Sequence, residues 1–513
     1  ILRHGWGSMM PALLLQILLT PIFASVVVFL TRNHIGRFAG WVTSGALVYT
    51  TALVVVAAMS VIRGQVLVEE YQILASSAQS PEAIRLGLLA DGLSVSTLAI
   101  VLLLCTALAL YSIRYIEHRI EILYADEDQL NQDRHYVRFF YLLPLFPVGF
   151  IGTILSTNLI TLYFFMEVLT VSLFFLMAYF GYRERVRVAF ISLSWGIIGA
   201  LLFLAASLLV YDQIGSWDIS QLDQMEGTPF VTATIFLFLI GLMMKLAIVP
   251  FHVWMPSVHA EHPTCIAGLL AVYANLAVYV LIRVVVLPLG NDFQQFGTPL
   301  MVLAIVTMIY GSLLTMAQTD IKRLAACSTI SQIAYSVLGL GALTSSSVQG
   351  GMFFFLSHIM GKTVFFSTAG IVVYATGIRD MRQMGGLAKQ MPVTAALWIV
   401  GCMMLSGFPP FSSFTAEWIM FSGIFEKGVT SGPLGIAIAV TGVTAILLTV
   451  AYSFNAARQI FFGPLSPILE AKNLSDPPLT MTLPLAFIAI VSIILGVFPQ
   501  TIMNLFHSVL GGL

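Results

Sequence analysis

Runs of about 20 apolar residues, separated by short polar segments, follow one another along the whole chain. Such a run is long enough to cross a bilayer as an α-helix, because the hydrocarbon core is roughly 30 Å thick and a helix rises about 1.5 Å per residue. The pattern predicts fourteen membrane spans. Their approximate limits are 10 to 30, 39 to 61, 93 to 114, 137 to 156, 158 to 181, 188 to 211, 230 to 255, 263 to 287, 297 to 317, 322 to 343, 349 to 376, 392 to 424, 433 to 457 and 480 to 503.

The seventh of these runs is interrupted. Lys245 stands inside it, and Pro250 follows five residues later. The residues beyond the proline bring several imidazole and carboxyl groups together: His252, His259, Glu261 and His262. Because proline cannot donate a backbone hydrogen bond, the freed groups must find partners in neighbouring helices or in water. A breakable membrane helix with a buried ammonium indicates transport, and the groups after it are candidates for the aqueous mouth.

A second interruption lies in the twelfth run, where Gly407, Pro409 and Pro410 come just before Glu417. Paired discontinuous spans at corresponding positions of two halves are typical of an internal repeat and point to a transport path. The fourth to eighth spans would match the ninth to thirteenth. Because each unit then has five spans, an odd number, the two units would be inverted relative to each other. The pattern therefore predicts an all-α integral membrane fold with two inverted five-helix repeats. The predicted divisions are 1–136, 137–287, 297–463 and 464–513.

Composition and charge agree with a membrane protein. Hydrophobic residues make up 58% of the 513, and charged residues only 9%, against roughly 25% in ordinary soluble domains. The net charge of -1 gives no indication of a nucleic-acid partner. With the N-terminus outside, one set of loops carries sixteen lysines and arginines and the other carries five. The positive-inside rule then places the basic loops in the cytoplasm and both termini outside.

Four ionisable residues remain inside the predicted spans: Glu167, Lys245, Lys362 and Glu417. Such a group at the centre of a helix costs about 2.5 to 3.5 kcal/mol on insertion scales, so it normally faces a partner or a wet cavity. Buried ionisable groups of this kind mark ion or proton paths by default. The alternative is a set of buried ion pairs that only lock helices together.

The spacing of these residues suits proton transfer. A carboxylate that moves toward or away from a buried lysine switches it between holding and releasing a proton, which makes Glu167 a candidate modulator of Lys245. His358 and Lys362 stand four residues apart, so on a helix they share one face. Histidine titrates near neutral pH, as a relay requires. A hydrogen-bonded core histidine is the other interpretation of His358.

At these residues the chain resembles the antiporter-like membrane subunits shared by respiratory complex I, membrane-bound group 4 hydrogenases and their relatives, and Mrp-type cation/proton antiporters. The resemblance covers about residues 90 to 465. Single motifs are modest, but their order is specific. They are LLADGLSVSTL (88 to 98), MEVLTVSLF around Glu167, KLAIVPFHVWMPSVHAEHPT from Lys245, DIKRLAACSTISQIAY (320 to 335), SHIMGKTVFFSTAG (357 to 370), IRDMRQMGGL (378 to 387) and GFPPFSSFTAEW (407 to 418). The wording of the last motif and of SHIMGK looks closest to hydrogenase-related or complex I subunits.

The resemblance implies roles for individual residues. In the family, the glutamate of the fifth span pairs with the lysine of the broken seventh span, here Glu167 and Lys245. The centre of the family's proton path is formed by the histidine and lysine of the eleventh span, here His358 and Lys362. An acid in the broken twelfth span, here Glu417, faces the exit. Family members carry protons, and sodium in some cases, and the subunit itself binds no flavin, cluster or quinone.

Two residues of this chain depart from the family pattern, and the role of a third residue is left undecided. Many relatives have a lysine eight residues before the arginine of the eighth span, where this chain has Asn275 before Arg283. Asparagine can hold water but cannot carry the proton charge. His262 stands where alanine is usual and adds a proton group near Glu261. Lys322 either enters the path or anchors the tenth span at the interface.

The resemblance therefore implies an ion-translocating subunit, multi-pass in a prokaryotic cell membrane, inside a redox-driven respiratory or hydrogenase complex. Its implied partners are other antiporter-like and small membrane subunits and a peripheral redox arm that holds Fe–S clusters with NiFe or flavin. Whether the whole counts as an oxidoreductase depends on that arm. One alternative is a stand-alone Mrp-type Na⁺/H⁺ antiporter subunit, and another is a non-transporting membrane anchor of an enzyme complex.

Overall fold

The computed structural model describes residues 12–72 and 85–512, and nearly all of them are helical. Residues 10 and 11 of the first predicted span lie outside the described residues. The α-helices found are α1 (Leu13–Leu30), α2 (Ala39–Ile62), α3 (Gly92–Leu123), α4 (Gln129–Leu142), α5 (Leu145–Leu155), α6 (Leu159–Phe180), α7 (Arg185–Ile214), α8 (Val231–Lys245), α9 (Met255–Glu261), α10 (Ala267–Leu281), α11 (Gly290–Met316), α12 (Ile321–Ala342), α13 (Ser345–Thr376), α14 (Pro392–Leu405), α15 (Ser412–Thr430), α16 (Pro433–Phe461), α17 (Pro467–Glu470), α18 (Leu479–Val497) and α19 (Gln500–Leu510).

The all-helical membrane fold is confirmed. Among the described residues, 12 helical segments are long and apolar enough to cross a membrane. The two predicted spans with interruptions are divided: the seventh into α8 and α9, and the twelfth into α14 and α15. The fourth predicted span is also divided, into α4 and α5, at Pro144. The total of fourteen spans and the inverted repeats stay predictions.

A small β-hairpin stands between α2 and α3, where no strand was predicted. Strand β1 (Leu67–Gln72) pairs antiparallel with β2 (Arg85–Ala90). Exposure alternates along β1, with the period of two that a half-buried strand requires. The Glu69 carboxylate accepts 2.9 Å hydrogen bonds from the backbone N–H groups of Leu14 and Leu15. The hairpin therefore caps the first turn of α1, whose N–H groups have no partner within the helix.

Three helices form the interior of the protein. In α12, in α13 and in the segment Thr264–Val286 that contains α10, every residue of the most apolar 18-residue window is buried. Less than half of the corresponding windows of Leu13–Leu30 and Gly36–Ile62 is buried, as expected for helices that face lipid. The polar side chains of α10, α12 and α13 are thus shielded from lipid by the rest of the protein.

Loops predicted to share a membrane face do meet in the structure. Arg379, in the loop after α13, pairs with Glu261 at the end of α9 and with Asp320 at the start of α12. At the opposite end of the bundle, Arg283 pairs with Asp91. Each contact joins residues that the alternating topology assigns to one side.

Candidate functional site

The interruption after Lys245 is stabilised by two hydrogen bonds between its backbone and side chains. Helix α8 ends at Lys245, and the chain continues through an irregular segment to α9. The indole Nε1 of Trp254 donates to the carbonyl oxygen of Met244 at 3.0 Å. The N–H of Val249 donates to Thr307 Oγ1 of α11 at 3.2 Å. Neighbouring side chains thus satisfy backbone groups that the interruption frees, as a membrane interior demands.

Lys245 is a buried ammonium without a hydrogen bond. The residue is 5% exposed, and Nζ has no hydrogen-bond partner among the residues that the structure describes. Nζ lies 5.2 Å from the ring centroid of Tyr273, within range of a cation–π interaction. A small crevice adjoins the lysine, and its walls include Trp195, Trp254 and Tyr273. The site therefore holds the charge by an aromatic face rather than by a direct ion pair.

Glu167 lies on α6 near Lys245. The two groups interact electrostatically, but no ion pair of 4.0 Å or less joins them within the part of the chain that the structure describes. One carboxylate oxygen of Glu167, Oε1, is buried and has no hydrogen-bond partner. The predicted Glu167–Lys245 pair is thus an open pair, with an unsatisfied polar atom on each side. Buried polar atoms are normally satisfied, so this arrangement is unusual for a pair with only a structural role.

At the centre of the protein, α10, α12 and α13 bring four polar residues together. The ammonium of Lys362 donates to the Ala325 carbonyl at 3.1 Å and also to the Ser328 hydroxyl. His358 lies four residues before Lys362 on the same helix, as predicted, and both side chains are buried. Nδ1 of His358 is 3.0 Å from Oδ1 of Asn275. Lys362 is therefore part of a hydrogen-bonded cluster and is not an isolated charge.

Asn275 determines the tautomer of His358. The Asn275 amide nitrogen donates to the Ala271 carbonyl at 2.7 Å, which leaves its oxygen facing the histidine. An amide oxygen can only accept, so Nδ1 of His358 carries the hydrogen. The other ring nitrogen, Nε2, is buried, has no hydrogen-bond partner in the described part of the chain, and keeps its lone pair. Asn275 thus does not replace the missing lysine as a carrier, but it leaves a proton acceptor in place.

The four predicted mouth residues have different environments. His252 is half-buried, with Nε2 3.2 Å from the Tyr310 hydroxyl. His259 is buried, and neither ring nitrogen has a partner. Glu261 pairs with Arg379 at 3.0 Å. His262 is fully buried, and burial lowers its pKa to about 3, so its imidazole is neutral at physiological pH.

Lys322 is buried, which differs from the position of an interfacial anchor. Its Nζ donates to the His262 carbonyl at 2.5 Å and lies 3.7 Å from the ring centroid of Tyr182. An anchoring lysine extends its ammonium into water, whereas this one points into the protein. The sequence did not reveal this, because Lys322 lies two residues after the helix-capping Asp320 and precedes Arg323 at what looks like an exposed helix start.

Glu417 lies in the first turns of α15, just beyond the second interruption, and is 7% exposed. Gly407 faces it: a Cβ at Gly407 would lie 2.1 Å from a Glu417 carboxylate oxygen. Gly407 also has φ of +63°, a conformation that favours glycine. None of the described residues donates a hydrogen bond to the carboxylate. Gly407 therefore creates the space that the buried acid occupies.

Several residues of the site were not predicted: Trp254, Tyr273, Thr307, Ser328 and Arg379. Four of these five make their contacts through aromatic or hydroxyl groups, which are common in any membrane helix. Arg379 was counted only as a basic loop residue. Within residues 12–72 and 85–512, no group of three or more His, Cys, Asp or Glu side chains could hold a metal ion.

A multi-pass helical bundle with buried ionisable groups beside interrupted helices defines a membrane protein of the ion-transporting class. The chain belongs to the family described as NADH:quinone oxidoreductase/Mrp antiporter, transmembrane, whose model matches residues 156–449. The predicted resemblance to antiporter-like membrane subunits is thereby confirmed.

Relatives of this chain include both NADH-quinone oxidoreductase subunits and antiporter subunits. NADH-quinone oxidoreductase subunit M of Rickettsia typhi is 27% identical over 361 residues, which cover 70% of this chain and 72% of the relative. Putative antiporter subunit mnhD2 of Staphylococcus aureus (strain JH9) is 28% identical over 498 residues, covering 96% and 94%. The solved Mrp complex from Dietzia sp. DQ12-45-1b contains a chain of the same fold, with a TM-score of 0.83, 21% identity and coverage of 98% and 97%.

Proposed function

We propose that this chain conducts protons across the membrane as one antiporter-like subunit of a multi-subunit assembly. The path comprises Glu167, Lys245, His358, Lys362 and Glu417, which are the ionisable groups that the family resemblance implies. The observation that carries this proposal is the environment of Lys245. Its ammonium is buried at a helix interruption, borders a crevice and has no hydrogen bond.

A purely structural role would call for a different geometry at Lys245. A lysine and a glutamate that only lock two helices together gain most when they form a close, fully hydrogen-bonded pair, since an uncompensated buried charge is expensive. Here Lys245 and Glu167 each retain an unpartnered polar atom. An open pair of this kind can exchange a proton with water and respond to small shifts of either helix.

The central step joins Lys245 to His358 and Lys362. Asn275 cannot carry a proton itself, but its contact leaves Nε2 of His358 as an acceptor. Water between Lys245 and that nitrogen would complete the connection. Lys362 lies one helical turn further along α13. Glu417, beside the second interruption, is the proposed exit group.

The orientation follows from the charge of the loops. We assign the face with Arg379, Glu261 and Asp320 to the cytoplasm, and both termini to the outside, in a prokaryotic cell membrane. His252, His259 and His262 then lie toward the cytoplasmic mouth. Of these three histidines, His252 has the greatest solvent exposure.

The type of assembly remains a choice between two candidates. The end-to-end correspondence with mnhD2 favours an Mrp-type cation/proton antiporter, in which Na⁺ is the second ion. The match to subunit M favours the redox-driven complex, with Fe–S clusters and NiFe or flavin in partner subunits. Purification of the chain with its native partners separates them: retained iron–sulfur proteins support the redox-driven complex, and a purely membrane assembly supports the antiporter.

Transport measurements on the purified assembly in proteoliposomes test the function itself. Lys245→Ala and Glu167→Gln should each abolish proton movement, read by a pH-sensitive dye inside the vesicles. Lys389 is an exposed lysine in the loop before α14, so Lys389→Ala serves as the matched control and should transport normally. If both path variants transport at the wild-type rate, the chain is a membrane anchor and the proposal is wrong.

A further inference from the structure

Two arginines without a carboxylate partner lie close together on the face that carries the basic loops. Arg185 is the first residue of α7, and Arg138 lies on α4. Both residues are partly buried. Within residues 12–72 and 85–512, no carboxylate lies within 4.0 Å of either guanidinium. Arg379, another partly buried arginine of this face, is paired with two carboxylates, so Arg138 and Arg185 need a separate explanation.

Two tyrosines pack against these arginines. The guanidinium carbon of Arg185 lies 5.6 Å from the ring centroid of Tyr124, and that of Arg138 lies 4.8 Å from the ring centroid of Tyr179. The Tyr124 hydroxyl donates to the Tyr179 carbonyl at 3.0 Å. Both guanidinium groups also interact electrostatically with Tyr124. These four residues therefore form one group, the arginine–tyrosine cluster, where the ends of α3, α6 and α7 meet.

The protein leaves the hydrogen-bonding capacity of the two guanidinium groups unused. Each guanidinium has five N–H donors and no acceptor. None of the described residues accepts a hydrogen bond from the side chain of Arg138 or Arg185, and Nη1 of Arg185 is buried without a partner among them. An arginine that only reaches for water keeps its whole head exposed. Here an aromatic ring covers one side of each head, so the charge is compensated only from the open side.

Two acids of this region are occupied by other partners. The carboxylate of Glu127 lies 3.0 Å from Nε2 of His135, whose ring stacks on Tyr124 with centroids 3.7 Å apart. Glu184, in the loop before α7, pairs with Arg187 at 3.0 Å. These carboxylates therefore do not compensate the two arginines of the cluster, which keeps an excess of positive charge.

The surface next to the cluster is apolar and aromatic. The ring of Phe175 stacks on that of Tyr179, one turn further into α6, and both side chains are exposed. On α7, Val186 and Phe190 are exposed as well. Tyrosines are enriched at the level of the lipid headgroups, with apolar side chains beside them facing the acyl chains. A molecule that fits this surface combines an anionic group with an apolar body.

We propose that the arginine–tyrosine cluster binds the phosphate of an anionic phospholipid, whose acyl chains lie along the exposed face of α6 and α7. Arginine binds phosphate through paired, charge-assisted hydrogen bonds, which its planar group is shaped to form. Basic pockets between membrane helices recognise anionic headgroups in the same way. The bound lipid joins α4 to the start of α7. This site goes beyond proton conduction and does not depend on the proposed path.

The test uses the purified assembly in detergent after its lipids have been removed. Dioleoyl phosphatidylglycerol is the probe, and dioleoyl phosphatidylcholine and inorganic phosphate are the comparisons. Amide hydrogen exchange in residues 179–187, followed against probe concentration, gives a local dissociation constant. Phosphatidylglycerol should slow this exchange, and the other two compounds should do so much less. Arg138→Gln and Arg185→Gln should each raise the dissociation constant by about tenfold, equivalent to about 1.4 kcal/mol.

Two further variants make the test specific. Arg185→Lys keeps the charge but not the planar group, so it should bind phosphatidylglycerol more weakly than the wild type and more tightly than Arg185→Gln. Arg458 is an exposed arginine near the end of α16, and Arg458→Gln should bind as the wild type does. Arg138→Gln decides the question if Arg185→Gln does not fold.

Several results would overturn the proposal. Wild-type binding by both glutamine variants would show that the arginines do not hold the lipid. Equal protection by phosphatidylcholine would exclude recognition of an anionic headgroup, and equal protection by inorganic phosphate would make a soluble phosphate the ligand. Full protection before any lipid is added would mean that a partner subunit covers the cluster. Proton transport is tested separately by Lys245→Ala, so the proposed function stands or fails independently of this site.

Discussion

Asn275 accepts a 3.0 Å hydrogen bond from Nδ1 of His358, and this contact decides which ring nitrogen of the histidine is free. The free nitrogen, Nε2, is buried and unpartnered. Asn275, which departs from the family pattern, thus fixes the tautomer of a histidine on the neighbouring helix α13. Its contribution is to orient a proton acceptor, which is a function that a neutral side chain can perform.

Replacement of Asn275 by leucine should therefore slow proton transport. Leucine has a similar volume but cannot accept from Nδ1, so the His358 ring loses its fixed tautomer. We expect a decrease of roughly fivefold, since one hydrogen bond is worth about 1 kcal/mol and about 1.4 kcal/mol is a factor of ten in rate. The measurement is dye-detected proton uptake by proteoliposomes.

Thr368→Val on α13 is the matched control for this experiment. The Thr368 hydroxyl donates only to the Val364 carbonyl of its own helix, so its loss should leave transport unchanged. Wild-type transport by Asn275→Leu would show that the tautomer of His358 has no role in the path.

The sequence predicted those parts of the site that depend on local pattern. Pro250 and Pro409 interrupt helices because of the chemistry of proline itself, and both interruptions are found where they were expected. His358 and Lys362 share a face because any helix places residues four apart on one side. The charged residues inside the spans could be recognised as site candidates because a charge in lipid is costly.

What could not be predicted depends on contacts between distant parts of the chain. The bond from Trp254 to Met244 and that from His358 to Asn275 exist only because particular helices pack in a particular register. The burial of Lys322 has the same origin, since nothing in its immediate neighbours distinguishes it from an exposed lysine. Exposure alternates along Leu67–Gln72, but the sequence of this segment, LVEEYQ, does not alternate apolar and polar residues, so the strand could not be predicted from it.

The bond from Trp254 to the carbonyl of Met244 predicts a specific stability defect. Trp254→Phe keeps an aromatic ring but removes the 3.0 Å bond, so that the Met244 carbonyl, one residue before Lys245, keeps only the longer 3.4 Å bond from the Ala247 N–H. We expect a loss of about 1 kcal/mol, the net value of a typical hydrogen bond, seen as a lower thermal unfolding midpoint in detergent. Trp41→Phe is the control, because Trp41 is 49% exposed on α2. Equal midpoints for the two variants would contradict the prediction.

His262 should make the protein less stable in acid. Burial lowers its pKa to about 3 in the folded state, whereas an unfolded histidine titrates near 6.5. Between these values the unfolded chain binds more protons, so stability rises with pH and falls as the solution is acidified. At pH 5 the contribution amounts to about 2 kcal/mol relative to pH 7. Lys322 bonds to the backbone of His262, so that contact survives a change of side chain.

The measurement compares thermal unfolding midpoints at pH 7 and pH 5. His262→Ala should lose less stability between the two than the wild-type protein does, whatever its midpoint at pH 7. His34, an exposed histidine after α1, provides the control, and His34→Ala should show the wild-type difference. An unchanged difference in His262→Ala would mean that His262 is not held neutral by burial.

Arg379 joins the end of the interrupted seventh span to the start of α12. Its Nη1 lies 3.0 Å from Glu261, and its Nε lies 2.8 Å from Asp320. Burial disfavours the charge, but the two carboxylates together raise the pKa of the guanidinium. Because Asp320 also caps α12 through the N–H groups of Lys322 and Arg323, the arginine ties the mouth to the helix that carries the buried lysine.

Arg379→Ala should therefore loosen the mouth locally and lower stability by about 2 kcal/mol, the value of hydrogen bonds to charged groups. Amide hydrogen exchange should quicken in residues 259–266 while the protected interior of α13 is unaffected. Arg382→Ala removes a neighbouring but exposed ion pair, with Asp380, and solvent screens such pairs so that they contribute little to stability. That control should exchange as the wild type does. If both variants exchange alike, Arg379 is only one more basic residue of the loop, and the mouth is held by the packing of α9 against α12.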